Sequence, residues 1–393
     1  MLSLVSIIIP CRNEGKYIGK CLDSLTLQDY PKEGIEILVL DGMSEDKTRE
    51  VIKKFQITNS ELKIRLLDNP KKFTNFAFNI GIKKAKGEII ILMGAHASYE
   101  KDYVSKCVKY LKEYNVDNVG GVIKTIPKEK SLIARSIALS LSHSFGAGTS
   151  YYRTSQKKTK EVDTVFGGCY RKEIFEKIGF FNEKLIRSQD IEFNKRLKKI
   201  GGKILLVPDI VAYYYPHATL LEFLRHNFLD GIWVTYPLKF GLKIFYFRHL
   251  VPLFFILILV FSLAISLIFK IFLFESIIFI YLFLSFLFSF QISFKVKDFR
   301  LLFTLPIVFI LRHISYGFGS IFGLAKILTK EIPGPDIVTF EDSSNKLDRQ
   351  AINVSIIIAC RNEEEFIAKC LASIISQDFP KENLEVLLID GAS

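Results

Sequence analysis

"VSIIIPCRNE", residues 5–14, and "IEILVLDGMS", residues 35–44, decide the fold. Each is a short aliphatic run that stops abruptly at small and polar residues, the pattern of a strand buried on both faces of a parallel sheet. Between them, "EGKYIGKCLDSLTLQ" places Tyr17, Ile18, Cys21, Leu22 and Leu25 at helical spacing. The unit is therefore strand, helix, parallel strand. It occurs twice: "VSIIIACRNE" begins at Val354, and 24 of the forty positions from Val5 to Ser44 are identical in Val354 to Ser393.

Working outward, "SEDKTREVIKKF" predicts a helix with Ser44 as its N-cap. "LKIRLLD" predicts a third strand, "FTNFAFNIGIKKAK" a third helix with Gly87 at C′, and "EIIILM" a fourth strand. Strands alternating with helices across short loops give an α/β, mostly parallel, doubly wound sheet. Such sheets bind ligands at the carboxyl ends of their strands, beside a switch point. Those ends are Pro10–Glu14, Asp41–Ser44, Asp68–Pro70 and Gly94–His96. From Asp163 the texture changes to "RKEIFEKIG", "NEKLIRSQDIEFNKRLKKIGG" and a strand "KILLVP", which complete a domain over residues 1–235.

The chain has 393 residues, 49% of them hydrophobic, with 35 Phe. Leu250–Phe269 and Ser276–Phe294 carry no charge and are long enough to span a bilayer. Lys239, Lys243 and Arg248 precede the first, and Lys295, Lys297 and Arg300 follow the second. That bias predicts a hairpin with both ends cytosolic, and hence a multi-pass protein of the cell membrane with its first domain on the cytosolic face. A third apolar stretch from Leu301 meets Arg312, which a span would hold in the membrane at a cost of about 2.5–3.5 kcal/mol or more. The glycine-rich "YGFGSIFG" follows, so a kinked, re-entrant or interfacial element and a third span both stay open. Residues 236–330 are thus interfacial and transmembrane helices, 331–353 a linker, and 354–393 a truncated second copy of the first domain, or else a strand pair docking on another copy.

No basic run precedes the first apolar stretch, so no secretion signal is read there. A net charge of +12 comes without a basic stripe of interleaved aromatics, which argues against nucleic acid and for an anionic membrane face. Six cysteines without a C-x-x-C pair read as reduced, buried thiols.

The order and spacing of "PCRNE", "LDGMS", "DNPKKFTNFAFNIGIKKAKGEIIIL", "GAHASYEKDYV", "SHSFGAGTS", "VDTVFGGCYRKEIFEKIGFFNE" and "QDIEFNKRLKKIGG" resemble family 2 glycosyltransferases of the GT-A fold. The likeness covers about Val5 to Trp233 and is closest to the succinoglycan type of exopolysaccharide assembly. It implies a nucleotide-diphosphate sugar donor, UDP-linked by preference, held by Pro10, Arg12, Asn13, Glu14, Asp41, Lys72, Gly94 and Ala95. Asp41 would meet the base edge, and Arg12 and Lys72 the diphosphate; a loop cap and surface charges are the plainer alternatives.

"GAHA", residues 94–97, falls where the family carries its metal-binding Asp-x-Asp, and Gly94 stands in place of the first acid. The resemblance implies a divalent ion held by His96, with His217 as a further ligand. Imidazole favours Mn²⁺ over Mg²⁺; a hydrogen bond to phosphate or a structural role remains open for both histidines. Asp190 in "SQDIEF" falls at the family's catalytic base, with Gln189 replacing its usual Glu neighbour. The processive Gln-x-x-Arg-Trp motif is broken, since Ile232 precedes Trp233. The expected activity is inverting transfer of one sugar to a lipid-linked saccharide at the membrane. A polyprenyl-phosphate sugar synthase and a nucleotide-sugar-binding scaffold without turnover are the rivals.

Overall fold

The structure, a computed structural model, describes residues 2–154, 157–328, 354–360, 373 and 384–390. The chain forms two compact units, Met1–Lys330 and Glu331–Ser393. The first opens with β1 (Val5–Cys11), α1 (Ile18–Thr26), β2 (Ile35–Asp41), α2 (Thr48–Thr58), β3 (Lys63–Asp68), α3 (Thr74–Lys84) and β4 (Ile89–Leu92). Val5, Ile7 and Ile9 pack into one apolar cluster and Ile8 into another on the opposite face, so β1 is buried on both sides. That requirement is why its sequence is an unbroken aliphatic run.

β5 (Ala97–Tyr99), α4 (Tyr103–Glu113), β6 (Asn118–Thr125), α5 (Leu132–Leu141) and α6 (Ser144–Ala147) follow. Then come β7 (Lys160–Glu161), β8 (Cys169–Arg171), α7 (Glu173–Ile178), α8 (Gln189–Lys199), β9 (Ile204–Tyr214) and α9 (Leu220–Thr235). One sheet orders the strands β3-β2-β1-β4-β8-β6-β9-β5, with β7 beside β9. β1, β2, β3 and β4 are parallel, as expected; β8 enters antiparallel between β4 and β6. The expected architecture holds, in a mixed form. β1 has β2 on one flank and β4 on the other, which puts the switch point at the carboxyl ends of β1 and β4.

Two local expectations fail. α2 starts at Thr48 after Lys47, because Ser44 spends its hydroxyl and amide on Asp41. α3 ends at Ala85 in extended conformation, so Gly87 is no helix cap. Gly87 is needed instead for close approach: a Cβ there would lie 2.6 Å from the Ser6 nitrogen. The four described cysteines, Cys11, Cys21, Cys107 and Cys169, are buried and unbridged, in line with reduced thiols.

The two expected apolar helices are present, and the stretch left open after them is a third. α10 (Phe247–Phe269), α11 (Leu273–Val296) and α12 (Leu301–Leu328) are each long and apolar enough to cross a membrane. α12 is a single helix of 28 residues running through Arg312. Its guanidinium does not face lipid alone: Nε donates to the Gly146 carbonyl at 2.6 Å and Nη1 to Asn227 Oδ1 at 2.8 Å. The glycines of "YGFGSIFG", which suggested a break, serve close packing. A Cβ on Gly319 would stand 2.1 Å from the Phe228 carbonyl oxygen, and one on Gly231 would stand 2.1 Å from that of Tyr316. α9 and α12 therefore meet backbone to backbone.

In the second unit, β10 (Val354–Cys360) and β11 (Leu384–Asp390) pair in parallel. Val354 faces Leu384 as Val5 faces Ile35, so the repeated sequence rebuilds the register of β1 and β2. The linker 331–353 and the repeat's expected helix lie outside the described residues.

Replacing Gly319 by Leu is expected to force α9 and α12 apart, an overpacking cost of about 1–3 kcal/mol. It should lower the thermal midpoint of the detergent-solubilised protein by several degrees. Phe318→Leu, at a position 51% exposed, should leave it unchanged; equal midpoints for both variants would contradict the packing.

Candidate active site

The loops after β1 and β2 are tied to each other. Asn13 adopts φ +54°, a conformation Asn tolerates better than most residues. Its backbone N–H donates to Ser44 Oγ at 2.9 Å, and its side-chain oxygen accepts from the Glu45 N–H at 3.0 Å. The Glu14 N–H donates to Thr48 Oγ1 at 2.8 Å. Asn13 is thereby a structural clasp whose side chain is already engaged.

Asp41 is fully buried at the end of β2. Its carboxylate accepts from the Ser44 amide and hydroxyl and from Arg49 Nη1 at 2.7 Å. Arg49 also donates to Asp68 Oδ1 at 2.8 Å, so one guanidinium joins the ends of β2 and β3. Asn69, next along, is buried with its side-chain oxygen unsatisfied among the described residues. Gly42 lets the chain close: a Cβ there would come within 3.0 Å of the Lys72 carbonyl oxygen and 3.1 Å of Arg12 Cβ. Arg12, Asp41 and the exposed Lys72 thus border one end of the sheet, with Pro10 half-buried beside them. Arg12 keeps a buried Nε without a partner among the described residues.

At the switch point, His96 Nδ1 lies 3.3 Å from Glu14 Oε1, and its ring stands edge-on to Tyr214 at 5.4 Å. Ala95 points into the core, 2% exposed. Gly94 faces open space, since a Cβ there would meet nothing within 4 Å. A side chain at 94 is sterically free, and its absence is a chemical difference.

The fit of a divalent ion rests on this donor set. Two donors of one ion with bonds near 2.1 Å stand about 3 Å apart when adjacent, close to the Glu14–His96 separation. The pair can supply two ligands, the remainder falling to donor oxygens. His217 does not complete a set of three: among the described residues no group of three His, Cys, Asp or Glu could hold a metal. His217 Nδ1 sits 3.9 Å from Glu222 Oε2, and its ring packs 5.1 Å from that of His226.

Asp190 lies in the first turn of α8, after Ser188 in a left-handed conformation. Burial pushes its carboxyl above the usual aspartate range, and the charge of Asp230 adds to this against two backbone hydrogen bonds. Asp230, on α9, accepts from Arg187 Nη1 at 2.7 Å and contacts His226 Nε2 at 3.3 Å. Burial would raise the Asp230 carboxyl, but the charges of Arg187 and Arg312, with the His226 contact beside them, hold it low. Burial drives His226 down to about 3, so it is neutral near pH 7 and Arg187 is the counter-charge in contact with Asp230.

Sequence reasoning missed Arg49, Arg187, His226 and Asp230. The i,i+4 spacing of His226 and Asp230 on a helix next to Trp233 was the available signal.

Glycosyl transferase family 2 matches residues 6–179 and 355–393, together more than half of the chain. The chain belongs to this family. It is a glycosyltransferase with a GT-A sheet. It is 37% identical over 236 residues to the dolichyl N-acetyl-alpha-D-glucosaminyl phosphate 3-beta-D-2,3-diacetamido-2,3-dideoxy-beta-D-glucuronosyltransferase of Methanococcus voltae, covering 58% of this chain and 72% of that one. It is 26% identical to the succinoglycan biosynthesis protein ExoA of Rhizobium meliloti, covering 59% and 74%. Among solved structures, the mannosyltransferase PcManGT of Pyrobaculum calidifontis, in complex with GDP-Man and Mn²⁺, superposes with a TM-score of 0.53 at 17% identity. That match covers 84% of this chain and 89% of the other. The second matched segment of the family is the repeat.

Arg49→Leu is expected to strand the buried Asp41 charge and cost roughly 2 kcal/mol, less than a fully buried pair because Arg49 is partly exposed. A thermal midpoint lowered by several degrees, partly restored in Arg49→Lys, is the expected outcome; an unchanged midpoint would show that Asp41 needs no counter-charge.

Proposed function

We propose that this glycosyltransferase inverts the anomeric centre while moving one sugar from a UDP-linked donor to a lipid-linked saccharide. The single observation that carries the reading is the placement of Asp190, with its raised carboxyl, beside the Arg187–Asp230 pair that anchors α8 to α9. The base and diphosphate would lie along the ends of β1 to β4. There Asn69 Oδ1 and Arg12 Nε offer buried, unspent hydrogen-bonding capacity, and Lys72 offers an exposed charge. Asp41, already saturated by Ser44 and Arg49, would shape the base pocket through the turn it holds.

In the transfer, Asp190 takes the proton of the acceptor hydroxyl as that oxygen attacks the anomeric carbon. The new C–O bond forms on the face opposite the departing diphosphate, whose C–O bond breaks, and the nucleoside diphosphate leaves with the electron pair. A group raised by burial suits this work, being more basic than a surface aspartate. Glu14 and His96 would hold a divalent ion, Mn²⁺ in preference to Mg²⁺ because of the imidazole; when bound, such an ion offsets charge on a leaving diphosphate. The relative from Methanococcus voltae, whose name specifies a dolichyl-phosphate-linked sugar acceptor, supports a lipid-linked acceptor here, as do the apolar helices. The basic flanks of α10 and α11 favour a cytosolic catalytic domain.

Asp190→Asn keeps the shape of the side chain and removes its basicity. Sugar transfer from UDP-sugars to membrane lipids should fall by about 10²–10⁴-fold while UDP affinity stays within about twofold. Transfer at the unmodified rate would remove Asp190 from this role.

A further inference from the structure

Where the sheet domain meets the helices, guanidinium groups outnumber their partners. Arg153 sits in the turn after α6, stacked 5.1 Å from the ring of Tyr214 and 5.4 Å from that of Tyr152. Its Nη1 is shut off from solvent and has no hydrogen-bond partner among the described residues. Arg312 is bound only to neutral oxygens, those of Gly146 and Asn227, and rests 5.8 Å from the ring of Phe223. Among the described residues, neither has a carboxylate at ion-pair distance. The nearby carboxylate, Asp230, is already taken by Arg187 at 2.7 Å. Arg187 reaches Asp230 and Arg312 reaches Asn227, three residues apart on α9, and the charge of Arg153 bears on His226 of the same helix.

Burying a guanidinium without an anion is costly, and a buried N–H without an acceptor adds to the cost. The arrangement therefore calls for an anion with several acceptor oxygens. A phosphate group supplies them, and planar guanidinium forks suit it better than lysines do. The locus also adjoins Asp190, whose carboxyl feels Asp230; Arg312 and Asp230 lie on α12 and α9, while Arg153 stacks on Tyr214 at the end of β9, whose ring also meets His96.

We infer that Arg153 and Arg312, with Arg187 beside them, bind the phosphate of a membrane-borne isoprenoid acceptor and hold its sugar before Asp190. This rests on the transfer reading above and names the part of the acceptor that the protein grips. A phosphate could also come from the donor's diphosphate, so the test separates the two sources.

The purified full-length protein in detergent would be titrated with farnesyl phosphate, farnesol and UDP, in the unmodified chain and in Arg153→Gln and Arg312→Gln. Farnesyl phosphate should bind and farnesol should bind at least about tenfold more weakly, the worth of one or two charge-assisted hydrogen bonds. Each variant should lose farnesyl phosphate affinity about tenfold while UDP affinity changes less than about twofold. If Arg312→Gln does not fold, Arg153→Gln, in the turn after α6, decides alone. Equal affinities for farnesol and farnesyl phosphate would overturn the inference, as would variants that bind farnesyl phosphate normally. A parallel loss of UDP would reassign the arginines to the donor. Loss of turnover in Asp190→Asn is a separate result, so failure here leaves the transfer reading standing.

Discussion

The Arg187–Asp230 ion pair, at 2.7 Å, joins the segment that delivers Asp190 to the helix that leads into the apolar bundle. Beside it, Leu185 packs with Leu229, Ile232 and Trp233 of α9, and Phe193 of α8 packs in the core of the sheet domain. With it, the proposed catalytic carboxylate is referenced to α9, and α9 is in turn locked against α12 through Gly231 and Gly319. The position of the reacting group relative to the bundle is thus set by one charged contact, one apolar cluster and one backbone-to-backbone seam. The charged contact and the seam are intolerant of change, the first because losing one partner leaves the other half-buried and uncompensated and the second because any Cβ would collide.

The other half of the site is built differently. Loops after β1 and β2 are stitched by Asn13, Ser44, Thr48 and Arg49, whose hydrogen bonds are largely internal. Such a rim is preorganised, which lowers the ordering cost of ligand binding. What remains open for a donor are the groups the rim leaves unspent: Asn69 Oδ1, Arg12 Nε, and the Glu14–His96 pair.

The first four strands and their parallel order were legible because β1 is buried on both faces and has to be continuously apolar. The antiparallel entry of β8 was not, since three residues after a pair of glycines carry no periodicity. Ser44 was taken as a helix cap because capping and carboxylate anchoring use the same hydroxyl; only the position of Asp41 decides between them. Asp190 stood out through its motif, whereas Asp230 did not. Its function depends on Arg187 from another element, and sequence separation hides such pairs. The glycines of α12 suggested a break in the helix for a related reason: local propensity reads them as weakness, while tertiary packing uses their missing side chains. The repeat was plain in the sequence, and its two described strands recreate the register of β1 and β2.

If Asp190 is the base and Asp230 its electrostatic neighbour, the pH dependence of kcat/KM reports on both. Asp190 has to be ionised to accept the proton, and burial together with the negative charge of Asp230 holds its proton more tightly than a free aspartate does. The acid limb of the profile should therefore lie above the ordinary aspartate value of about 3.9. Asp230→Asn removes the repulsion and leaves Arg187 with its charge uncompensated; both changes favour ionised Asp190, so the limb should move to lower pH. A limb that stays in place or moves upward would contradict the account.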